Sequence, residues 1–543
     1  MSATIKHTSL GEIEGNIVNG TAQFLGLKYA SLKDRLASAE LLSRYDSGVT
    51  NATEYGPPPV SPIGAVNSEF GFIQHPLPLP EVPAHSDIEG LNLNITLPLS
   101  RNGDINTSTK LPVYVFIHGG GFAVGSNWYP HYNPAPLVEL SIEKGKPIIG
   151  ITINYRLGIT GFLTSEELRK AGYKANNGLH DQRTALRWIK KFIGGFGGDP
   201  DEVTVVGESA GAISVTLLLC SEEPLMKRCL GTGGHFLLFK QLSLSTAESA
   251  YQKVIEAFGL KDKSPEDRIQ ALLNVPIDDL WQKVPPGTPL TPAFDGDIIP
   301  GPGDFATISS KEDSPHFLMP GRKWCSALML GDSKLDGNIY GYTVLNARKA
   351  GITQEFIASV NATLASQPET AALLLSLYNI SPTTSDDDAL LSILRFASEI
   401  SFYAGTHAFA RGWPNTKDSK FFLYHFNEGI PWPGPFQGEA GHILDVAYLF
   451  QNYNEHLAGE QKKVAKAFGE DFINFVNGED PWPPVQGDQM RARVYGPSSE
   501  GVTTRYVQDG KPEHVGREER VLKLAELAGY DNIQEVFLNF FQR

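Results

Sequence analysis

The sequence predicts an α/β fold: a mostly parallel central sheet flanked by helices, with an N-terminal β meander before it and helical insertions interrupting it. Three observations carry this. From Leu111 the chain sets continuous apolar runs, "LPVYVFI", "KPIIGITINY" and "VTVVG", around an amphipathic segment, "QRTALRWIKKFI". Apolar runs without period-2 alternation belong to strands covered by helices on both faces. Strand, helix and strand in that order imply a right-handed crossover and mostly parallel central strands. Finally, no Ser/Gly-rich or charged linker divides the 543 residues, so a single large domain over 1–543 is expected.

Taken in order, residues 1–110 read as short strands and turns: "GEIEGNIV", "AQFLGLKYA", the Pro-rich loop "YGPPPVSPIG", and "LNLNITLP" with its alternation. Residues 111–242 hold the buried strands and the crossover helix. Residues 243–410 are mainly helical in period, as in "SAYQKVIEAFGL" and "ALLSILRFASEI", interrupted by the strand-like "ALMLGD". Residues 411–543 contain a late strand, "KFFLYHFN", and an amphipathic helix, "REERVLKLAELAG", stopped at Gly529.

The formal charge of −15, from 46 basic and 61 acidic residues, disfavours nucleic acid and anionic membrane surfaces as partners, since Lys/Arg clusters hold both. Cys220, Cys229 and Cys325 are the only cysteines, too few and odd in number for a disulfide framework. The start, "MSATIKHTSLGEIEG", has no apolar core of a leader, and no run of about 18 apolar residues follows. A cytoplasmic chain without a membrane span is expected. No Cys/His cluster has ligand spacing, so neither metal nor organic cofactor is expected. Nothing in the pattern bears on oligomeric state.

The chemistry concentrates at "VTVVGESAGAISV". An apolar strand that turns into a helix within about two residues strains its corner residue and leaves no room for Cβ atoms beside it. Gly207 and Gly211 flank Ser209 in that way, and the chain holds no other G-x-S-x-G. Ser209 is the candidate nucleophile. Upstream, "VYVFIHGGGFAVG" ends a buried strand at His118 and follows it with Gly119, Gly120 and Gly121. The N–H groups of Gly120, Gly121 and Ala210 are candidate oxyanion donors, each typically worth about 3–4 kcal/mol in the transition state.

With these residues in view, the chain resembles the type-B carboxylesterase and lipase family that includes the cholinesterases. The likeness runs through "FLGLKYA", "EGLNLNITLP", "NYRLGITGFL", "NNGLHDQRTALRWIKKFIGGFGGDPDEVTVVGESAG", "PAFDGDIIP", "LGDSKLDG", "GHILDVAYLF" and "FINFVNGEDPWPP". It implies the α/β-hydrolase fold, a gorge beneath helical insertions, and ester hydrolysis through an acyl-serine. The fold's chain order of nucleophile, acid and histidine leaves His407, His425, His442, His456 and His514 as candidate bases. The resemblance selects His442.

For the acid, Asp336 stands where the family commonly carries Glu. It is one methylene shorter, so its loop must come closer, or Asp332 serves instead. Asp295 and Asp297 read as a turn. Glu208 resembles a residue the family keeps beside its nucleophile and is expected to tune the His442 charge. Phe122, Trp128 and Phe72 lie on segments expected near the gorge, and for each of them core packing is the favoured reading over a place in the pocket wall.

Two departures bear on specificity and compartment. Gly90 stands where secreted members have a cysteine, and "RCLGTGGHFLLFKQLSLSTAES" departs from the family's pattern after the nucleophile. The expected function is hydrolysis of a small to medium, largely apolar carboxylic ester. A lactone or lactam hydrolase with the same triad is the enzymatic alternative, and a non-catalytic binding protein on the same fold is the rival from another class.

Overall fold

The continuous apolar runs become the interior strands of one sheet. The computed structural model describes residues 2–45, 48–238, 240–312 and 319–541. The N-terminal meander is β1 (Ser2–His7), β2 (Gly11–Val18), β3 (Thr21–Lys28) and β4 (Asn92–Pro98), each antiparallel to the next. The core follows with β5 (Leu111–Ile117), β6 (Ile149–Ile153), β7 (Gly198–Glu208), β8 (Arg228–Thr232), β9 (Ala327–Ser333), β10 (Lys420–Phe426) and β11 (Ala492–Tyr495). Neighbours within this core are parallel. An antiparallel edge strand, β12 (Thr504–Val507), closes the order β1-β2-β3-β4-β6-β5-β7-β8-β9-β10-β11-β12.

That order contains a switch point. From β5 the chain moves one way to β6 and the other way to β7, so the loops leaving β5 and β7 part and open a crevice at their carboxyl ends. Ile117 pairs with Gly207 across the two strands. The triple-glycine loop and the serine corner therefore leave the sheet side by side.

The expected helices form with the expected stops. Between β3 and β4 lies α1 (Val66–Ile73), α2 (Asn177–Phe192) is the crossover, and α3 (Ala210–Leu218) follows the serine. Among the insertion helices, Leu244–Ala257, Pro265–Asn274 and α4 (Asp386–Ala397) begin on Ser243, Ser264 and Ser385, whose side chains accept from the third residue on. After α4 the chain widens into a π-helical stretch, Ser398–Tyr403, before α5 (Ala404–Gly412). A short α6 (Leu444–Leu449) and the C-terminal α7 (Arg520–Ala528) follow, the latter ending at Gly529 with φ +79°.

Two apolar cores result. The larger runs on both faces of the sheet, from Ala3 to Phe540. A smaller one gathers Leu36, Val60, Ile159, Tyr251, Ile255, Leu272 and Leu280 under the first insertion helices. No helix among the described residues is long and apolar enough to cross a membrane.

Candidate active site

β7 ends on Glu208 and α3 begins on Ala210, so Ser209 alone makes the corner, at φ 52° and ψ −117°. That conformation is costly for a residue with a Cβ and persists only where its surroundings impose it. The flanking glycines show the constraint: a Cβ at Gly207 would strike the Gly211 carbonyl, and one at Gly211 the Ile117 carbonyl of β5. Backbone bonds hold the corner, Ser209 N–H donating to Thr232 O at 3.0 Å and Ile213 N–H to Ser209 O at 2.9 Å.

Beside it, Gly120 (φ 94°) and Gly121 (φ 61°) curl the β5 loop back, with Ala123 and Val124 N–H both donating to Gly120 O at 3.0 Å. Among the described residues the Gly120, Gly121 and Ala210 amides donate to no protein acceptor.

The candidate acid and the candidate base come from the far half of the sheet. After β9 a tight turn returns Asp336 beneath the strand, and its Oδ2 accepts from Ser333 N–H at 2.6 Å. The other oxygen, Oδ1, lies 2.9 Å from His442 Nδ1. Leu335 N–H donates to Ala440 O at 2.8 Å, and His442 N–H to Asn338 Oδ1 at 2.9 Å. These ties make up the missing methylene. His442 Nε2 lies 3.2 Å from Glu208 Oε1, and among the described residues it makes no hydrogen bond.

Charge is crowded here. Burial alone would lower the His442 imidazole, but the Asp336 hydrogen bond and the Glu208 carboxylate outweigh it and hold the ring above its ordinary value. Burial raises Glu208 and Asp336 as well. Asp445, on α6, is pushed up to about 7 by burial and then by Asp336, and it accepts from Tyr424 Oη at 2.7 Å.

The other candidates fall elsewhere. His425 Nδ1 lies 2.6 Å from Asp332 Oδ1, and Arg517 Nε donates to Asp332 Oδ2 at 2.9 Å. Asp332 is thus held in a separate buried unit. His407 packs on Tyr403, His456 on His75, and His514 pairs with Asp509 on the surface. Asp295 closes a turn by accepting from Asp297 and Ile299 N–H, and Asp297 pairs with Arg183.

Across 509 of its residues, 2–510, the chain matches the Carboxylesterase family model. It belongs to the carboxylesterase family. It is 32% identical to the para-nitrobenzyl esterase of Bacillus subtilis (strain 168) over 89% of this chain and 93% of that one. With Lipase 1 of Yarrowia lipolytica it shares 27% identity over 88% of each. A carboxylesterase of Geobacillus stearothermophilus, EST55, superposes with a TM-score of 0.71 at 24% identity, over 94% of this chain and 98% of that one. The fold is accordingly the α/β-hydrolase fold, and the chain is a carboxylesterase-type serine hydrolase.

In this carboxylesterase a cavity of about 220 Å³ is lined by Ser209, His442, Gly120, Gly121, Glu208 and Phe72. Two gorge aromatics named from the sequence turn away from it. Phe122, at φ 64°, packs on Phe162, and Trp128 sets its edge against Tyr129 in the main core. Ala210 is buried at the first turn of α3. Reading the sequence missed Glu69, which lines the same cavity. It sits on a short helix inside a Pro-rich loop, where no periodicity marks it.

Proposed function

We propose that this carboxylesterase hydrolyses small to medium, largely apolar carboxylic esters through an acyl-enzyme on Ser209. The observation that carries the reading is the His442 Nδ1 to Asp336 Oδ1 contact of 2.9 Å, in a cavity that His442 shares with a serine held at a strained corner. Ser209 Oγ attacks the ester carbonyl while His442 Nε2 takes its proton, and Asp336 keeps Nδ1 protonated and steadies the imidazolium. The Gly120, Gly121 and Ala210 amides receive the oxyanion. On collapse His442 returns the proton to the departing alcohol. Water, deprotonated by the same imidazole, then attacks the acyl-serine and releases the acid.

An apolar substrate is supported by Phe72, Val124, Ile339 and Ile443, which form the apolar part of the cavity wall beside the reacting groups. A second chamber of about 320 Å³, walled by Val60, Leu157, Trp281, Val284 and Leu290, shares Gly121 with the first and offers room beyond the oxyanion loop. We assign the enzyme to the cytosol on its three cysteines, all buried free thiols.

The test is an intact-mass measurement after incubation with a fluorophosphonate, beside an assay on linear and cyclic esters. One adduct is expected on the parent and none on Ser209→Ala, whose kcat falls by about 10⁴-fold or more with its thermal transition unchanged. Substantial activity in Ser209→Ala would overturn the assignment.

A further inference from the structure

A chain of buried polar groups leads away from His442 on the side opposite Asp336. Glu208 Oε1 faces His442, and its Oε2 lies 3.4 Å from the Tyr132 hydroxyl. The Glu69 carboxyl also acts on this hydroxyl, raising it further after burial. Glu69 Oε2 in turn lies 2.6 Å from His131 Nε2, while its Oε1 has no hydrogen-bond partner among the described residues. Tyr132 thus has one proton to donate and two carboxylates to receive it.

We propose that Glu69, held by His131, is a positioning residue for the reaction at Ser209, competing with Glu208 for the Tyr132 hydroxyl and so setting how much negative charge meets His442. This rests on the reading of Ser209 and His442 given above. Whenever Tyr132 turns to Glu69, Glu208 loses its only tether on that side and its charge is available to the imidazole. Tyr132 turned to Glu208 damps that charge. The pair is built into the fold: the His131 ring packs against Phe70 at 5.6 Å and against Tyr132 at 4.1 Å, and both partners are buried. The remaining titratable groups that feel Glu69 are His118 on the glycine loop, Tyr129, Tyr155 and Tyr453. Burial keeps His118 neutral, down at about 4, and raises the three phenols. None of these four therefore changes charge near neutral pH.

The experiment is the pH profile of kcat/KM for Glu69→Gln, Glu69→Asp, Tyr132→Phe and the Glu69→Gln/Tyr132→Phe double variant. Fluorophosphonate labelling and thermal melting are followed on each protein. Glu69→Gln removes one anion and releases Tyr132 to Glu208, so the acid limb moves to lower pH by about one unit. Glu69→Asp keeps the charge and retains most of the parent profile. In the Tyr132→Phe background, Glu69→Gln adds less than half of its own displacement. A Glu69→Gln protein that melts earlier yet keeps the parent's acid limb would show that Glu69 only packs α1, and the proposal fails. Parent protein that takes no fluorophosphonate would instead sink the Ser209 reading beneath it.

Discussion

Asp336 has one methylene fewer than the glutamate expected there from the sequence resemblance, and the loop around it closes the difference. The Ser333 amide at 2.6 Å and the Leu335–Ala440 bond draw the turn in until Oδ1 reaches His442. Asp336→Asn keeps that shape but offers Nδ1 the wrong partner, so kcat is expected to fall by about 10⁴-fold, with KM and melting temperature little changed. Asp336→Glu should overfill the turn and cost activity too, an outcome that separates geometry from charge. Because Asp336 and Glu208 hold His442 above its ordinary range, and the base must be neutral to accept the serine proton, kcat/KM should rise with pH through an apparent pKa above about 6.5. A profile already flat at pH 6 would contradict this. At this scale the sequence was most legible where backbone geometry demands glycine, as at Gly207 and Gly211. It was least legible at Glu69 and Asp445, because a buried carboxylate on a helix of only eight or six residues leaves little periodic trace.

The elements that carry the proposed acid and base are fastened from behind. β9 delivers Asp332 as well as Asp336, and Asp332 binds Arg517 from the approach to α7 and His425 from β10. Burial alone would raise this carboxyl, yet Arg517 and His425 bring it down to about 2. On the other side, the π-helical Ser398–Tyr403 presents Ser398 Oγ to Gly337 N–H at 2.8 Å and the Phe402 ring to His442 at 5.5 Å. The widened turn thus meets the acid loop and the imidazole together. Arg517→Met leaves Asp332 short of its cation in the core. Urea unfolding should register a loss of about 3–5 kcal/mol, and the Arg517→Met/Asp332→Asn pair should recover part of it. No recovery would mean that Arg517 acts by packing alone. Element boundaries were legible for the apolar strands and capped helices. β7 starts at Gly198 rather than at Val203 because "GDPDE", which reads as a turn, pairs with β5 through a register shift. The π-helical stretch left no sign in "ALLSILRFASEI", whose period stays helical.

At the scale of the whole chain, the parallel core and the antiparallel edges were legible because strands buried on both faces and strands with one wet face have different hydrophobic periods. Which strands become neighbours was not, since the passage from β4 to β6 and back to β5 depends on non-local packing. The two-core arrangement was hidden for the same reason, for a helical period does not say which apolar surface a helix will cover. One feature of the sheet reaches beyond its resting state. Asp336 and His442 touch across 106 residues of sequence, and the Ser209 corner depends on a strand that precedes it by a full crossover. A cavity assembled from contacts so distant in the chain closes only after the strands between them have zipped, since loop closure must be overcome before long-range pairing is rewarded. During refolding from urea, far-ultraviolet dichroism should therefore return ahead of esterase activity, and the lag between the two signals times the closing of the sheet's middle.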